Sequence, residues 1–323
     1  MKTLKCIVLS SALFCFGLQY GAAQSQSDAA NLYNGGIALM STDLDGAIVK
    51  IDSCIIVCKQ IGDSANDLKN KAGQFYADLH YQKAFKLYNK DKNLQASIAT
   101  AKKAIAFADE YASDKVKSKT ETFMVQLYAK LGSEFFKTKE YAKAVMAFDS
   151  ALAINPEYIS AIQNKTMAYK VLGDEPNFSK TVAILIEKLK AKNDTAQLSS
   201  INNTAIDFYS KLGSKANAAN KLDEAIANLT KAETYGTDKD VCYFFADVYN
   251  KQKNYDKAIE YAQKGLALEK GNNDAKAKYY YALGVAQLGK GDKDAACGSF
   301  KSAQFGQFAT AAKAQRTNNK CAD

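Results

Sequence analysis

One spacing recurs along this chain and narrows the folds open to it. Aligned on a small residue, four stretches share a skeleton. The first reads Tyr128, Leu131, Gly132, Phe135, then Tyr141, Ala144, Phe148, Ala151. The second reads Tyr209, Leu212, Gly213, Ala216, then Leu222, Ala225, Leu229, Ala232. The third reads Cys242, Phe245, Ala246, Tyr249, then Tyr255, Ala258, Ala262, Gly265. The fourth reads Tyr280, Leu283, Gly284, then Ala296, Phe300, Ala303. In each, the small residue precedes an alanine by 12 positions, and apolar or small residues follow at 16 and 19.

Offsets of three and four within each half line one face of a helix. A short polar turn, such as Lys137-Thr138-Lys139-Glu140 or Gly289-Lys290-Gly291-Asp292, separates the halves, so they must run antiparallel as neighbours. Gly132 and Ala144 allow two helix backbones to approach closely. Phe148 and Ala151 are then expected to meet the first helix of the following unit. A hairpin cannot bury both of its faces alone, so stacking is obligatory. Composition agrees: two prolines and no tryptophan in 323 residues, with 47% hydrophobic content, suit long helices and a sizeable core. The expected class is all-α.

The skeleton resembles the tetratricopeptide repeat family. The match is densest over 128–156, with the Leu131-Gly132 pair, both aromatics, Tyr141, Ala144, Phe148, Ala151 and a closing Pro156. The resemblance implies a right-handed superhelical solenoid of antiparallel helix hairpins, with a concave groove that takes peptides or partner proteins. Looser units follow the same scheme. Residues 29–62 fit through Gly35 or Gly36, Ala47, Ile51 and Cys54, and 77–112 through Ala84, Leu94, Ser97, Ala101 and Ala104. Residues 157–192 fit through Tyr169, Phe178 and Leu185, with two or three extra residues around Gly173-Asp174-Glu175-Pro176. The expected hairpins are 29–62, 77–112, 125–156, 157–192, 195–236, 238–270 and 275–305, closed by a capping helix over 306–318. A cap hides the apolar outer face of a terminal repeat. The closing stretch from Gly291 through Cys297 to Cys321 is similar to the last repeat of many secreted bacterial members of the family.

The first residues are a separate object. Lys2 and Lys5 precede an apolar run from Cys6 to Leu18, and Gly21-Ala22-Ala23 supplies small residues for cleavage. This reads as a signal peptide over 1–23. The run is shorter than the roughly 20 residues a membrane-spanning helix needs, and no second stretch reaches that length. The expectation is an exported chain, periplasmic, outer-membrane-associated or secreted, with no integral membrane segment after cleavage. Net charge is +9, but only Arg316 among 43 basic residues is arginine, and lysines alternate with acids. Such a surface is solvated and does not suit nucleic acid, which favours arginine forks and clustered basic faces.

Candidate chemistry is sparse. Cys54 and Cys242 sit at positions the repeat buries, and Cys54 and Cys58 lie four apart on one helix, poorly placed for an unstrained bridge. Cys297 and Cys321 remain a candidate disulfide, structural if formed. His80 is the one histidine and lacks the closely spaced partners of a zinc site. Asp43-Leu44-Asp45-Gly46 lacks the later glutamate of a calcium loop and reads as a turn between helices. No Gly-x-Ser-x-Gly elbow, phosphate-cradling glycine loop or Cys–His pair is recognisable, so neither an enzyme nor a cofactor is expected.

The resemblance places a groove wall on Gln126, Ser133, Phe136 and Lys137, then Asp207, Ser210, Ser214 and Asn217. It continues with Asp240, Tyr243, Asp247 and Asn250, then Lys278 and Tyr281. Chaperone-tail-binding members hold a terminal carboxylate with a lysine and an asparagine. The matching pairs here are Ala129/Ser133, Ser210/Ser214, Tyr243/Asp247 and Tyr281/Val285, and none fits that clamp. A mixed polar and aromatic wall suits a protein or peptide partner. One alternative expectation is an accessory protein of an envelope polymer or carbohydrate at the outer membrane, although this chain lacks the lipidated cysteine and exposed tryptophans of such binders. The other is an enzyme whose site the sequence does not reveal, since catalytic groups converge in space.

Overall fold

The computed structural model describes residues 25–322; the expected signal peptide, 1–23, lies outside them. The described residues form fifteen α-helices and no strand. They divide into two compact units, one ending at Ala168 and one beginning at Tyr169. The first holds α1 (Gln26–Leu39), α2 (Leu44–Ile61), α3 (Asn66–Asn89), α4 (Leu94–Glu110), α5 (Asp114–Lys137) and α6 (Tyr141–Ile154). Helix α7 (Ile159–Leu172) carries the boundary. The second holds α8 (Glu175–Ala191), α9 (Thr195–Ala218), α10 (Leu222–Glu233), α11 (Lys239–Lys251) and α12 (Tyr255–Leu268). It ends with α13 (Asn273–Gly289), α14 (Lys293–Ser302) and α15 (Ala309–Asn318). The chain is thus an all-α array of helix hairpins with a terminal helix.

The recurrent small residue has a direct packing role. A Cβ built on Gly132 would come within 2.5 Å of the Phe148 ring, and one on Gly213 or Gly284 would meet Leu229 or Phe300 at 2.7 and 2.8 Å. Phe148 therefore lies across the first helix of its own hairpin. Its cluster also takes in Ala151 and Ala161, the latter on α7, so the ring serves both neighbours and not the following helix alone. In the third skeleton both positions are alanine, Ala246 and Ala262, and both are buried.

The turns repeat as closely. Lys139, Asn220, Lys253 and Gly291 have positive φ, each seven residues after the small residue of its skeleton. After Lys253 and Gly291 the next residue, Asn254 or Asp292, accepts the N–H of Lys257 or Ala295 at 3.4 or 3.1 Å. Side-chain capping of this kind satisfies a backbone donor left open by the first turn. Asp43 does the same for Gly46 N–H at 2.9 Å, which gives the Asp43–Gly46 stretch its role as a helix entry.

One part of the sequence reading is corrected, and an alternative it left open is resolved. Gly173, at φ 71°, stands seven residues after the buried Thr166, and Phe178, Val182 and Leu185 follow that threonine at 12, 16 and 19. The 157–192 segment therefore keeps the common frame, and the extra residues are not there. Thr166 takes the small position, its hydroxyl donating to Ile162 O at 2.8 Å. In the first unit the glycine buried against Ile51 is Gly36, which makes that hairpin turn one residue shorter. From Ala84 to Ser97 the turn is one residue longer, and Ser97 Oγ donates to Ala84 O at 2.8 Å across the close approach.

At the C-terminal end, Gly306 has φ 49° and opens a single 3-10 turn, Gly306–Phe308, before α15. Cys297 on α14 and Cys321 beyond α15 are joined by a disulfide with a Cα separation of 5.6 Å. Ala312 of α15 is buried against Phe300 and Ala303, which covers the last hairpin. Among the described residues, no helix is long and apolar enough to cross a membrane.

Candidate functional site

The first helices of successive hairpins carry the candidate groove residues, and in the second unit many of these are bound to one another. Asp207 of α9 accepts from Lys170 at 2.7 Å and from Lys211 at 2.9 Å. Burial works to raise its carboxyl pKa, but hydrogen bonds from those lysines hold it below its ordinary value. Asn217 Nδ2 donates to Asp247 of α11 at 2.5 Å, and Lys251 donates to Asn217 Oδ1 at 2.8 Å. Lys278 of α13 pairs with Asp240 of α11, its ammonium also lying 5.4 Å from the centre of the Tyr243 ring. Ser210 is buried and donates to Asp207 O at 3.2 Å, while Ser214 is half-buried. Asp207, Asn217, Asp240, Asp247 and Lys278 therefore brace helix against helix before they meet any ligand.

The remaining candidates converge on one of the braced acids. Tyr243, Asp247, Asn250 and Tyr281 line one cavity of about 300 Å³ together with Lys251, Ala282, Val285 and Phe308. Tyr243 and Tyr281 supply aromatic faces, and burial, with Asp247 beside it, pushes the Tyr243 hydroxyl up to about 12. Asn250 Nδ2 donates to Ala282 O at 2.9 Å, which fixes the amide so that its Oδ1 has no hydrogen-bond partner. A buried acceptor left open costs about 1–3 kcal/mol. Phe308, from the turn before α15, lies 5.4 Å from the Tyr281 ring and 6.4 Å from Tyr243, centre to centre. The sequence reading passed over Phe308 because it stands outside the repeat frame.

In the first unit the candidates are spread. Gln126 is exposed and lines a separate cavity of about 290 Å³ with Val125, Ile154 and Tyr158. Ser133 donates to Ala129 O at 2.9 Å, Phe136 packs edge-on against Tyr141 at 5.1 Å, and Lys137 is exposed. Two further positions follow from the same counting and were not among the candidates. Counting three before and one after Ala84, as in the clear repeats, gives Tyr81 and Phe85. Phe85 is 50% exposed, and both line a mostly apolar cavity of about 370 Å³.

Cys54, Cys58 and Cys242 are buried free thiols, and the Cys54 and Cys58 sulfurs lie 4.0 Å apart. His80 is buried between Tyr76 and Phe107, with ring-centre distances of 4.7 and 5.3 Å. Among the described residues, no group of three or more His, Cys, Asp or Glu side chains is placed to hold a metal ion.

The tetratricopeptide repeat family model matches residues 125–158 and 240–272. No curated protein matches the chain in sequence. Among solved structures, the chain is similar to the MamA protein at 22% identity, covering 62% of this chain and 97% of that one, with a TM-score of 0.34. A tetratricopeptide repeat protein from Parabacteroides merdae ATCC 43184 is similar at 14% identity over 90% of this chain and 98% of its own, with a TM-score of 0.29. YrrB, described as a TPR protein with an unusual peptide-binding site, is similar at 17% identity over 55% and 83%, with a TM-score of 0.34.

Proposed function

Because two segments of the chain match the tetratricopeptide repeat family model, we propose that it is an exported binding or scaffolding protein that recruits a partner through the α11–α13 pocket. The observation that carries this reading is the meeting of two tyrosine faces, Tyr243 and Tyr281, with the polar side chains of Asp247 and Asn250 in one cavity. Aromatic faces take an apolar side chain, and polar side chains beside them take backbone N–H and C=O groups, so the pocket suits a protein segment bound in extended form. Bracing of the surrounding acids by lysines and Asn217 leaves the pocket pre-formed, which lowers the ordering cost of binding. The scaffold is of a kind that typically acts by binding, and no catalytic constellation supports a further activity.

Export is supported by Lys2 and Lys5, the apolar run from Cys6 to Leu18, and the small residues Gly21-Ala22-Ala23. A disulfide between Cys297 and Cys321 suits an oxidising compartment. Within that reading the protein works in the periplasm, at the outer membrane or beyond it, with no nucleic-acid partner.

The test is a photo-crosslinking residue at Tyr281, compared with one at the exposed Glu260 of α12, in the native envelope. A reproducible adduct from position 281 only, lost on replacing Asn250 by alanine, is the expected result. Equal adducts from both positions, or none from 281, would overturn the reading.

A further inference from the structure

The first unit carries an apolar surface that the repeat's own packing leaves uncovered. Tyr81 and Phe85 of α3 line the cavity of about 370 Å³, together with Leu44 at the start of α2. Phe85 is 50% exposed even though it touches Phe123, ring centres 5.6 Å apart. The apolar area continues onto α1. Gln82, also in the cavity wall, donates to Met40 Sδ at 3.7 Å, and Met40 and Ile37 are 36% and 45% exposed. Large aromatic and aliphatic side chains left open side by side mark an interaction surface more often than isolated ones do.

Charge around this surface is one-sided. Lys86 and Lys90 line the same cavity, and both are exposed. Lys83 and Lys92 lie in the same stretch. Against them stand Asp91, next to Lys90, and Asp45, which Lys83 already engages at 2.6 Å and whose charge Lys86 also favours from a longer distance. Neither Lys86 nor Lys90 has a carboxylate within ion-pair distance among the described residues. Ammonium groups at an apolar rim attract an anion and are not themselves consumed by the fold.

We propose that the Tyr81–Phe85 cavity is a second docking site, which takes a protein segment with one bulky apolar side chain flanked by carboxylates. The apolar side chain enters between Tyr81, Phe85 and Leu44, and the acids lie over Lys86 and Lys90. This site belongs to the first unit and goes beyond the α11–α13 pocket, so either can fail without the other.

Fluorescence anisotropy with three labelled synthetic peptides and the full chain tests it. One peptide carries a phenylalanine between aspartates and glutamates, one has alanine for that phenylalanine, and one has lysines for the acids. The acidic phenylalanine peptide is expected to bind at least about tenfold tighter than either control, a difference of about 1.4 kcal/mol, and to weaken as salt is raised. Phe85→Ala should abolish the preference for phenylalanine. The Lys86→Glu/Lys90→Glu variant changes only exposed side chains, and should transfer the preference to the lysine peptide. Tyr243→Ala/Tyr281→Ala should leave all three affinities unchanged, which separates this site from the second-unit pocket. Equal binding of the acidic and lysine peptides, no binding of the acidic peptide, or an unchanged preference after charge reversal would overturn the proposal.

Discussion

Replacing His80 by phenylalanine should make the first unit less sensitive to acid. His80 is 8% exposed, and neither ring nitrogen has a hydrogen-bond partner. Burial, reinforced by Lys103 and Lys83 and opposed by Asp52, lowers its pKa to about 4 from an ordinary 6.5. Below pH 6.5 the unfolded chain takes up a proton that the folded unit resists, so stability falls as pH drops from 6.5 towards 4 and then levels off. A gap of about 2.5 pH units corresponds to about 3 kcal/mol in full, and to about 2 kcal/mol by pH 5. Phenylalanine fits between the same rings, Tyr76 and Phe107, and has no proton to gain. Because repeat arrays do not unfold in a single step, the assay is hydrogen exchange of peptides from α3 and α4. The opening free energy at pH 7.5 and at pH 5, corrected for intrinsic exchange rates, is compared in the two proteins. The wild type should lose about 2 kcal/mol more than His80→Phe. Equal losses would refute the argument, since they would mean that the imidazole finds a partner or water when folded.

Gly132→Ala should destabilise the α5–α6 hairpin by about 1–3 kcal/mol despite alanine's better helix propensity, because its Cβ would lie 2.5 Å from Phe148. Pairing it with Phe148→Leu should recover part of the loss in denaturant titrations. Cys297→Ser/Cys321→Ser opens a loop with a sequence separation of 24, which by chain entropy removes about 3.5 kcal/mol. Faster exchange in α15 without change in α3 is the expected signature. Asp207→Asn releases Lys170 and Lys211, and should lower stability by less than about 1 kcal/mol, with the effect fading at high salt.

The hairpin frame was legible because it rests on small residues at fixed spacing, and spacing survives in sequence whatever the side chains around it. It became hard to read where the identity at a frame position changed. Thr166 stands for a glycine and Phe178 for an alanine, so the 157–192 segment seemed to contain an insertion although its spacing is unchanged. The first two hairpins were blurred differently, by turns one residue shorter and one longer. The candidate groove positions could be counted from the sequence, but which of them are already bound to other side chains could not. The pairing of Asp207 with Lys170, or Asp240 with Lys278, joins residues 37 and 38 apart, and only the stacking of helices reveals it. Tyr81 and Phe85 needed no new rule, only the counting from Ala84 already used in the other repeats. Phe308 left no periodic signal.

The Cys297–Cys321 bond also bears on how the protein would respond to a protease. The chain between the two cysteines includes the exposed residues Phe305, Gly306 and Gln307, an accessible place for cleavage. A single cut there would turn a closed covalent ring into two arms still held by sulfur. Both pieces would migrate together on a denaturing gel until a thiol reductant parted them. Phe308 would then sit beside a newly freed end, while Ala312 of α15 stayed joined to the core through Cys321.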